Sequence, residues 1–252
     1  MNHPFLNPDV GLALLAAHFL GDFVFQTDRV ARNKRQLSVL LFHGFQLAAL
    51  SYLFAGRWTD IWIPSTIFVT HVFIDYCKAR QRRPSASLFL LDQAAHLVVI
   101  AVLAWWLNEA SLLSYWTQKW GKGLSAVWVE LIGVIVCVRA GGVLIGLWVQ
   151  PYLDEIQRKS EAKINGPEVS RGLTNGGRTI GQWERALIFL FVCTGQFGSI
   201  GFLVAAKSIF RFGELKDRDN RMEAEYITIG TLMSFGWAIA VSYLTQSLVR
   251  MV

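Results

Sequence analysis

The chain has 252 residues, of which 53% are hydrophobic, 13% aromatic and only 17% charged; a soluble domain carries roughly a quarter charged residues. Its mean hydropathy of +0.38 argues against an ordinary water-soluble globule. A net charge of +6 without an aromatic-interleaved basic stripe gives no sign of a nucleic-acid partner.

Apolar runs of about 18 or more residues recur along the chain, the length that crosses a hydrocarbon core about 30 Å thick. The first begins near Asp9, with no basic stretch before it and no small-residue cleavage site after it. It reads as a retained span and not as a removed signal peptide. Spans are expected at about 9–27, 37–55, 61–77, 87–107, 126–149, 186–206 and 226–248. The expected fold is therefore all-α: a polytopic membrane helical bundle of six to seven transmembrane helices. Strands are not expected, because the runs are continuous rather than alternating and lipid does not tolerate open sheet edges. Two regions follow: residues 1–108 with four spans, and residues 109–252 with three. In the second region, "DEIQRKSEAK" reads as an amphipathic cytoplasmic helix and "INGPEVSRGLTNGGR" as a loop, together filling about 150–185. Cys77, Cys137 and Cys193 are odd in number and fall in or beside spans, so they read as small apolar fillers.

Lysine and arginine counts set the orientation. With the N-terminus outside, fifteen fall in cytoplasmic segments and eight in external ones, with Arg139 inside a span. The 207–221 connection departs from the pattern. Either it is external, or "GQFGSIGFLVAA" is a broken or re-entrant element that returns the chain to the cytoplasm. Trp58, Trp62, Trp105, Trp106, Trp116, Trp120 and Trp128 crowd the expected outer interface, as an aromatic belt should. The localisation expected from these signals is a bacterial inner membrane, with membrane lipids as neighbours.

Four of the five histidines lie one each in the first four spans: His18, His43, His71 and His96. Three have an aspartate four residues away, which puts both side chains on one helix face. The order is His18/Asp22 and His71/Asp75 in spans running inward, and Asp92/His96 in the span running outward. The reversal is what brings all three pairs to one depth. At about 1.5 Å of rise per residue, the aspartates lie roughly 3–9 Å inside the cytoplasmic boundary. His3 belongs to a solvated terminus.

An aspartate buried at mid-span costs about 2.5–3.5 kcal/mol even on an insertion scale. The three pairs should therefore face one another in the bundle interior. Two arrangements satisfy them: one or two divalent cations held by imidazoles and carboxylates, or a hydrogen-bonded network that orients histidines or relays protons. Oxygen and nitrogen donors suit Zn, Mn, Fe or Mg, and spacing alone does not choose among them. Gln26 lies two turns from His18, Gln93 adjoins Asp92, and Lys78 follows Asp75 at the inner boundary. "RVARNKR" and "KARQRR" flank the same mouth; they act as positive-inside signals and lipid contacts, and would also suit an anionic substrate. In the second region Arg139 sits mid-span and should pair with Glu130 or Glu184, or line a cavity. Glu184 and Arg185 in "GRTIGQWER" either join the polar layer or anchor a span.

"AHFLGDFVFQTDRVARNKR", "HVFIDYCK" and "LLDQAAHL" together resemble the bacterial and phage membrane-protein family catalogued as domain of unknown function 3307. The resemblance covers about the first 107 residues, and the tail "GRTIGQWER…IGFLVAAKSIFRFGELKD…AEYITIGTLMSF" is similar to the C-terminal region of longer members. It implies that the quoted His, Asp and Gln positions form one unit, and it implies no reaction.

The functional expectation has three branches. The first is a metal-dependent hydrolase or transferase acting on a lipid-linked or phosphorylated substrate. In it His18, Asp22, His43, His71, Asp75, Asp92 and His96 supply the ligands, Asp22, Asp75 and Asp92 serve the chemistry, and Lys78 or Arg185 steadies developing charge. The second is an ion, proton or metal transporter using the same layer. The third is a structural or regulatory membrane partner. Oligomerisation is left open by the sequence.

Overall fold

A computed structural model of the chain describes residues 8–81, 84–108, 114–121, 123–162, 175–212 and 221–252. His3, Arg82, Arg83, Lys122, the expected loop from 164 to 174, and residues 213–220 of the 207–221 connection lie outside the described residues. Among those described, every regular element is helical. The chain divides into two compact units, one of Met1–Ile135 with Thr245–Val252 and one of Val136–Leu244.

The first unit contains α1 (Pro8–Leu20), which opens into a π turn at Gly21–Phe25, the short α2 (Asp28–Asn33), α3 (Leu37–Ala55), α4 (Trp62–Ala79) and α5 (Ala86–Asn108). It continues through α6 (Tyr115–Trp120) and α7 (Gly123–Ile135). Local chemistry marks the helix ends. Thr27 Oγ1 accepts from the Val30 N–H ahead of α2, and Ser85 Oγ accepts from Leu88 ahead of α5 at 3.2 Å. Gly56 closes α3 with φ of 60°, a left-handed position that glycine adopts without strain.

Helices α1, α3, α4 and α5 pack as a ring: α1 on α3, α3 on α4, α4 on α5, and α5 back on α1. Their shared core is Val10, Leu14, Leu47, Ala55, Ile63, Ile67, Ile100, Leu103 and Leu107. Two glycines let backbones approach closely. A Cβ on Gly21 would overlap Leu47, and one on Gly44 would overlap Val72. Gly44→Val is therefore expected to lower stability by about 1–3 kcal/mol through overpacking of α3 on α4. Unfolding in mixed micelles would measure it, and a neutral result would mean that the two helices are not held this close.

The outward faces of these helices are apolar, whereas polar side chains point inward. Phe45 is 65% exposed and Leu91 68%, while His43 is 0% and Asp75 1%. The tryptophans gather at one end: Trp58 packs on Tyr115 and Trp116, Trp62 on Trp106, and Trp116 Nε1 donates to Leu53 O at 2.7 Å.

The second unit begins with a π turn at Val136–Ala140 and continues with α8 (Gly141–Ala162), α9 (Gly176–Cys193), α10 (Phe197–Phe212) and most of α11 (Arg221–Val249). Its core is Cys137, Ile188, Phe189, Val192, Phe235 and Ala238. Two sequence expectations change here. "DEIQRKSEA" is the end of α8 and not a separate surface helix, with Pro151 carried inside the helix. The single span expected at 186–206 is two helices, broken at residues 194–196, where Gly195 has φ of 71°. A left-handed glycine ends α9, and Gln196 N–H bonds back to Phe191 O at 2.7 Å.

Four helical segments are long and apolar enough to cross a membrane: Leu37–Ala55, Ala86–Leu107, Gly123–Lys159 and Ala224–Val249. Val10–Phe25 and Phe197–Ile209 are apolar but shorter. Helix α4 carries Thr66, Thr70, His71, Asp75 and Lys78, which dilute its apolar character. Seven clear spans are thus not seen among the described residues. The cost of the polar centre falls on the helices that build it.

Candidate functional site

The ring of α1, α3, α4 and α5 closes around side chains that each helix could not bury alone. His18 comes from α1 and Asp22 from its π turn, His43 from α3, His71 and Asp75 from α4, and Asp92, Gln93 and His96 from α5. All eight are buried, none more than 9% exposed. The i,i+4 spacing read from the sequence supplies the faces, and helix packing then decides who meets whom.

His71 Nε2 stands 3.3 Å from Asp75 Oδ2 and His96 Nε2 3.7 Å from Asp92 Oδ1, so these two pairs remain partners within their own helices. Asp22 behaves differently. The π turn places its Oδ1 3.0 Å from His43 Nε2 and 3.5 Å from His71 Nε2, both on neighbouring helices. Single π turns are frequent at functional sites. His43, which has no acid neighbour in sequence, thereby reaches Asp22 and lies 3.7 Å from Asp75 Oδ2. The imidazoles form a cluster: His71 stacks on His96 with centroids 4.2 Å apart, and His18 is 5.0 Å from His96.

Two lysines neutralise two of the three carboxylates. Lys34, between α2 and α3, is only 7% exposed, and its Nζ donates to Asp75 Oδ2 at 2.6 Å. Lys78 at the end of α4 donates to Asp92 Oδ2, which also accepts from Gln93 Nε2 at 3.0 Å. Arg35 ties the same mouth by donating from Nε to Ala79 O at 2.9 Å. Lys34 escapes sequence reasoning because it lies within the basic run "RVARNKR", which reads equally well as a topology signal. Nothing in the spacing links it to Asp75, 41 positions away.

Several polar atoms in this centre have no hydrogen-bond partner among the described residues. They are Nε2 of His18 and His96, Nδ1 of His43, Oδ1 of Asp75 and Asp92, and Oε1 of Gln93, while His71 Nε2 meets Asp75 and Asp22 at 3.3 and 3.5 Å without hydrogen-bonding geometry. Gln26 Oε1, just past the π turn, is likewise without a partner. Buried polar atoms without partners are costly, and here they are concentrated at one place. Three sets of donor atoms converge within 4.8 Å and could hold a metal ion: His18/His71/His96, Asp22/His43/His71 and Asp75/Asp92/His96. Beside the imidazoles, a cavity with room for about one water-sized group is lined by His18, Leu47, Ser51, Ile67, Thr70, His71, His96, Val99 and Ile100. Ser51 and Thr70 carry no sequence signal of their own. Each is a lone hydroxyl in a long apolar run, a common helix-packing residue.

The remaining sequence candidates lie in the second unit. Arg139 is half-buried in the π turn at Val136–Ala140. Arg185 is 4% exposed, and its guanidinium donates to Val138 O at 2.9 Å and to Ser234 Oγ at 3.0 Å. Glu184 Oε2 accepts from Lys207 Nζ at 2.6 Å. The partners of Glu184 and Arg185 lie within the same unit, and the carbonyl that Arg185 engages belongs to the π turn.

No curated protein and no solved structure matches the chain. Residues 10–122, which include the whole His/Asp centre, match the model of the family described as "Protein of unknown function (DUF3307)".

Proposed function

We propose that the chain is a multi-pass protein of a bacterial inner membrane, with its N-terminus outside and its His/Asp centre near the cytoplasmic face. The centre holds a divalent cation and serves a hydrolase or transferase that acts on a lipid-linked or phosphorylated substrate. One observation carries this reading. The ring buries imidazole and carboxylate atoms that lack partners yet converge at ligand spacing. The membrane setting is supported by apolar faces outside, polar side chains inside, and four helices of crossing length. The cytoplasmic placement rests on the excess of lysine and arginine in the connections nearest the centre.

A cation there would polarise a phosphoryl oxygen or lower the pKa of a water. Lys78, 39% exposed on its side chain, stands where an incoming anion would first meet positive charge, with Arg35 beside the same mouth. The centre's mixed nitrogen and oxygen ligands suit Zn, Mn, Fe or Mg.

The water-sized cavity beyond the imidazoles, with Ser51 and Thr70 in its wall, favours a second reading in which protons or cations pass through the layer. Elemental analysis of the purified chain tests the first reading, with stoichiometric divalent metal expected. Release of inorganic phosphate from a lipid pyrophosphate in nanodiscs, abolished by chelation, is expected alongside it. Metal without hydrolysis, together with ion flux in liposomes that Asp92→Asn removes, would transfer the case to transport. Absence of metal would end the metal reading.

A further inference from the structure

The three donor sets are not equivalent, because the lysines divide them. Asp75 and Asp92 each accept from a lysine ammonium, whereas the ion-pair partners of Asp22 among the described residues are His43 and His71. With the imidazoles neutral, three carboxylates against two ammonium groups leave one negative charge in an apolar ring, and it falls to Asp22, whose ion-pair partners are imidazoles. One divalent cation there leaves the centre with a single positive charge. Two would leave it with three, at a distance from water where unpaired charge is expensive.

We infer that the centre takes one divalent cation, seated at Asp22, His43 and His71, and that Lys34 and Lys78 are resident counter-cations that keep a second ion off Asp75 and Asp92. This rests on the metal reading above and specifies its seat and number. Geometry favours the same seat. Asp22 and His43 already stand 3.0 Å apart, with His71 at 3.5 Å, so a cation can take the place of the hydrogen between them while that hydrogen moves to the unpartnered Nδ1 of His43, which stays neutral. His18 and His96 then act as neighbours that wall the ion, and the stack of His71 on His96 fixes the ring that ligates.

The three sets differ in how many imidazoles they offer, and this gives a test that needs no mutation. Copper(II) added to the chelator-stripped full chain in micelles should show nitrogen couplings from two imidazoles by electron paramagnetic resonance. Three would assign the ion to His18/His71/His96, one would assign it to Asp75/Asp92/His96, and either result overturns the proposal. In parallel, zinc titration should give one ion per wild-type chain. Asp22→Asn should weaken it by more than about 100-fold, beyond the range of second-shell changes. The Lys34→Met/Lys78→Met variant should bind two ions. Two ions in the wild type, or one in the double variant, would remove the role given to the lysines. A wild-type chain that binds no zinc and no copper sinks the metal reading itself, which separates that failure from a wrongly assigned seat.

Discussion

Asp75→Asn is expected to cost the folded protein about 3–5 kcal/mol, the range for removing one partner of a buried ion pair. The change leaves the Lys34 ammonium in the ring with a neutral amide where Asp75 Oδ2 had stood at 2.6 Å. The two side chains are only 8% and 1% exposed, so solvent does little to screen the loss. Lys34→Met should be destabilising as well, because it strands the carboxylate among His43 and His71. The double variant Lys34→Met/Asp75→Leu should recover a large part of either loss, since an apolar pair of similar size meets no desolvation penalty. Equilibrium unfolding of the four proteins in mixed micelles closes this cycle. A coupling below about 1 kcal/mol, as surface pairs give, would show that water reaches the pair and that α2 does not cover the mouth as described.

The second large effect concerns His71, which belongs to two of the three donor sets. His71→Ala should reduce divalent-metal affinity by more than about 100-fold, above the loss expected from an outer-shell change. A chromophoric chelator in competition with the purified chain would read it. Ser51→Ala supplies the contrast. It alters the wall of the adjacent cavity without touching a ligand, and its affinity should stay close to that of the wild type. Equal losses in both variants would mean that the centre responds to packing in general and not to ligand identity.

The polar layer was legible in residue order because helical periodicity needs no tertiary information. His71/Asp75 and Asp92/His96 are i,i+4 pairs, and they remain neighbours in the fold. The reversed order in α5 was also readable, once alternate spans were given opposite directions. Other features depended on how helices approach one another. The π turn at Gly21–Phe25 carries no clear composition signal, yet it turns Asp22 toward α3 and α4. His43 had no acidic neighbour along the chain and could be joined to the centre only by packing.

The break at residues 194–196 lies between these cases. "GQFGSIG" suggested a broken element, but a run of apolar residues on both sides read equally well as one span. The left-handed Gly195 decides it: glycine permits either handedness of the backbone, and its surroundings select one.

Helical class, the faces of the first four long helices and the shared layer of histidine and aspartate thus follow from the order of residues, because each depends on hydrophobicity and a period of 3.6. Partner choice inside the layer, the burial of Lys34 against Asp75 and the division of the centre into lysine-paired and unpaired carboxylates were decided only by the packed ring. Each joins residues from different helices, and no local periodicity records the distance between them.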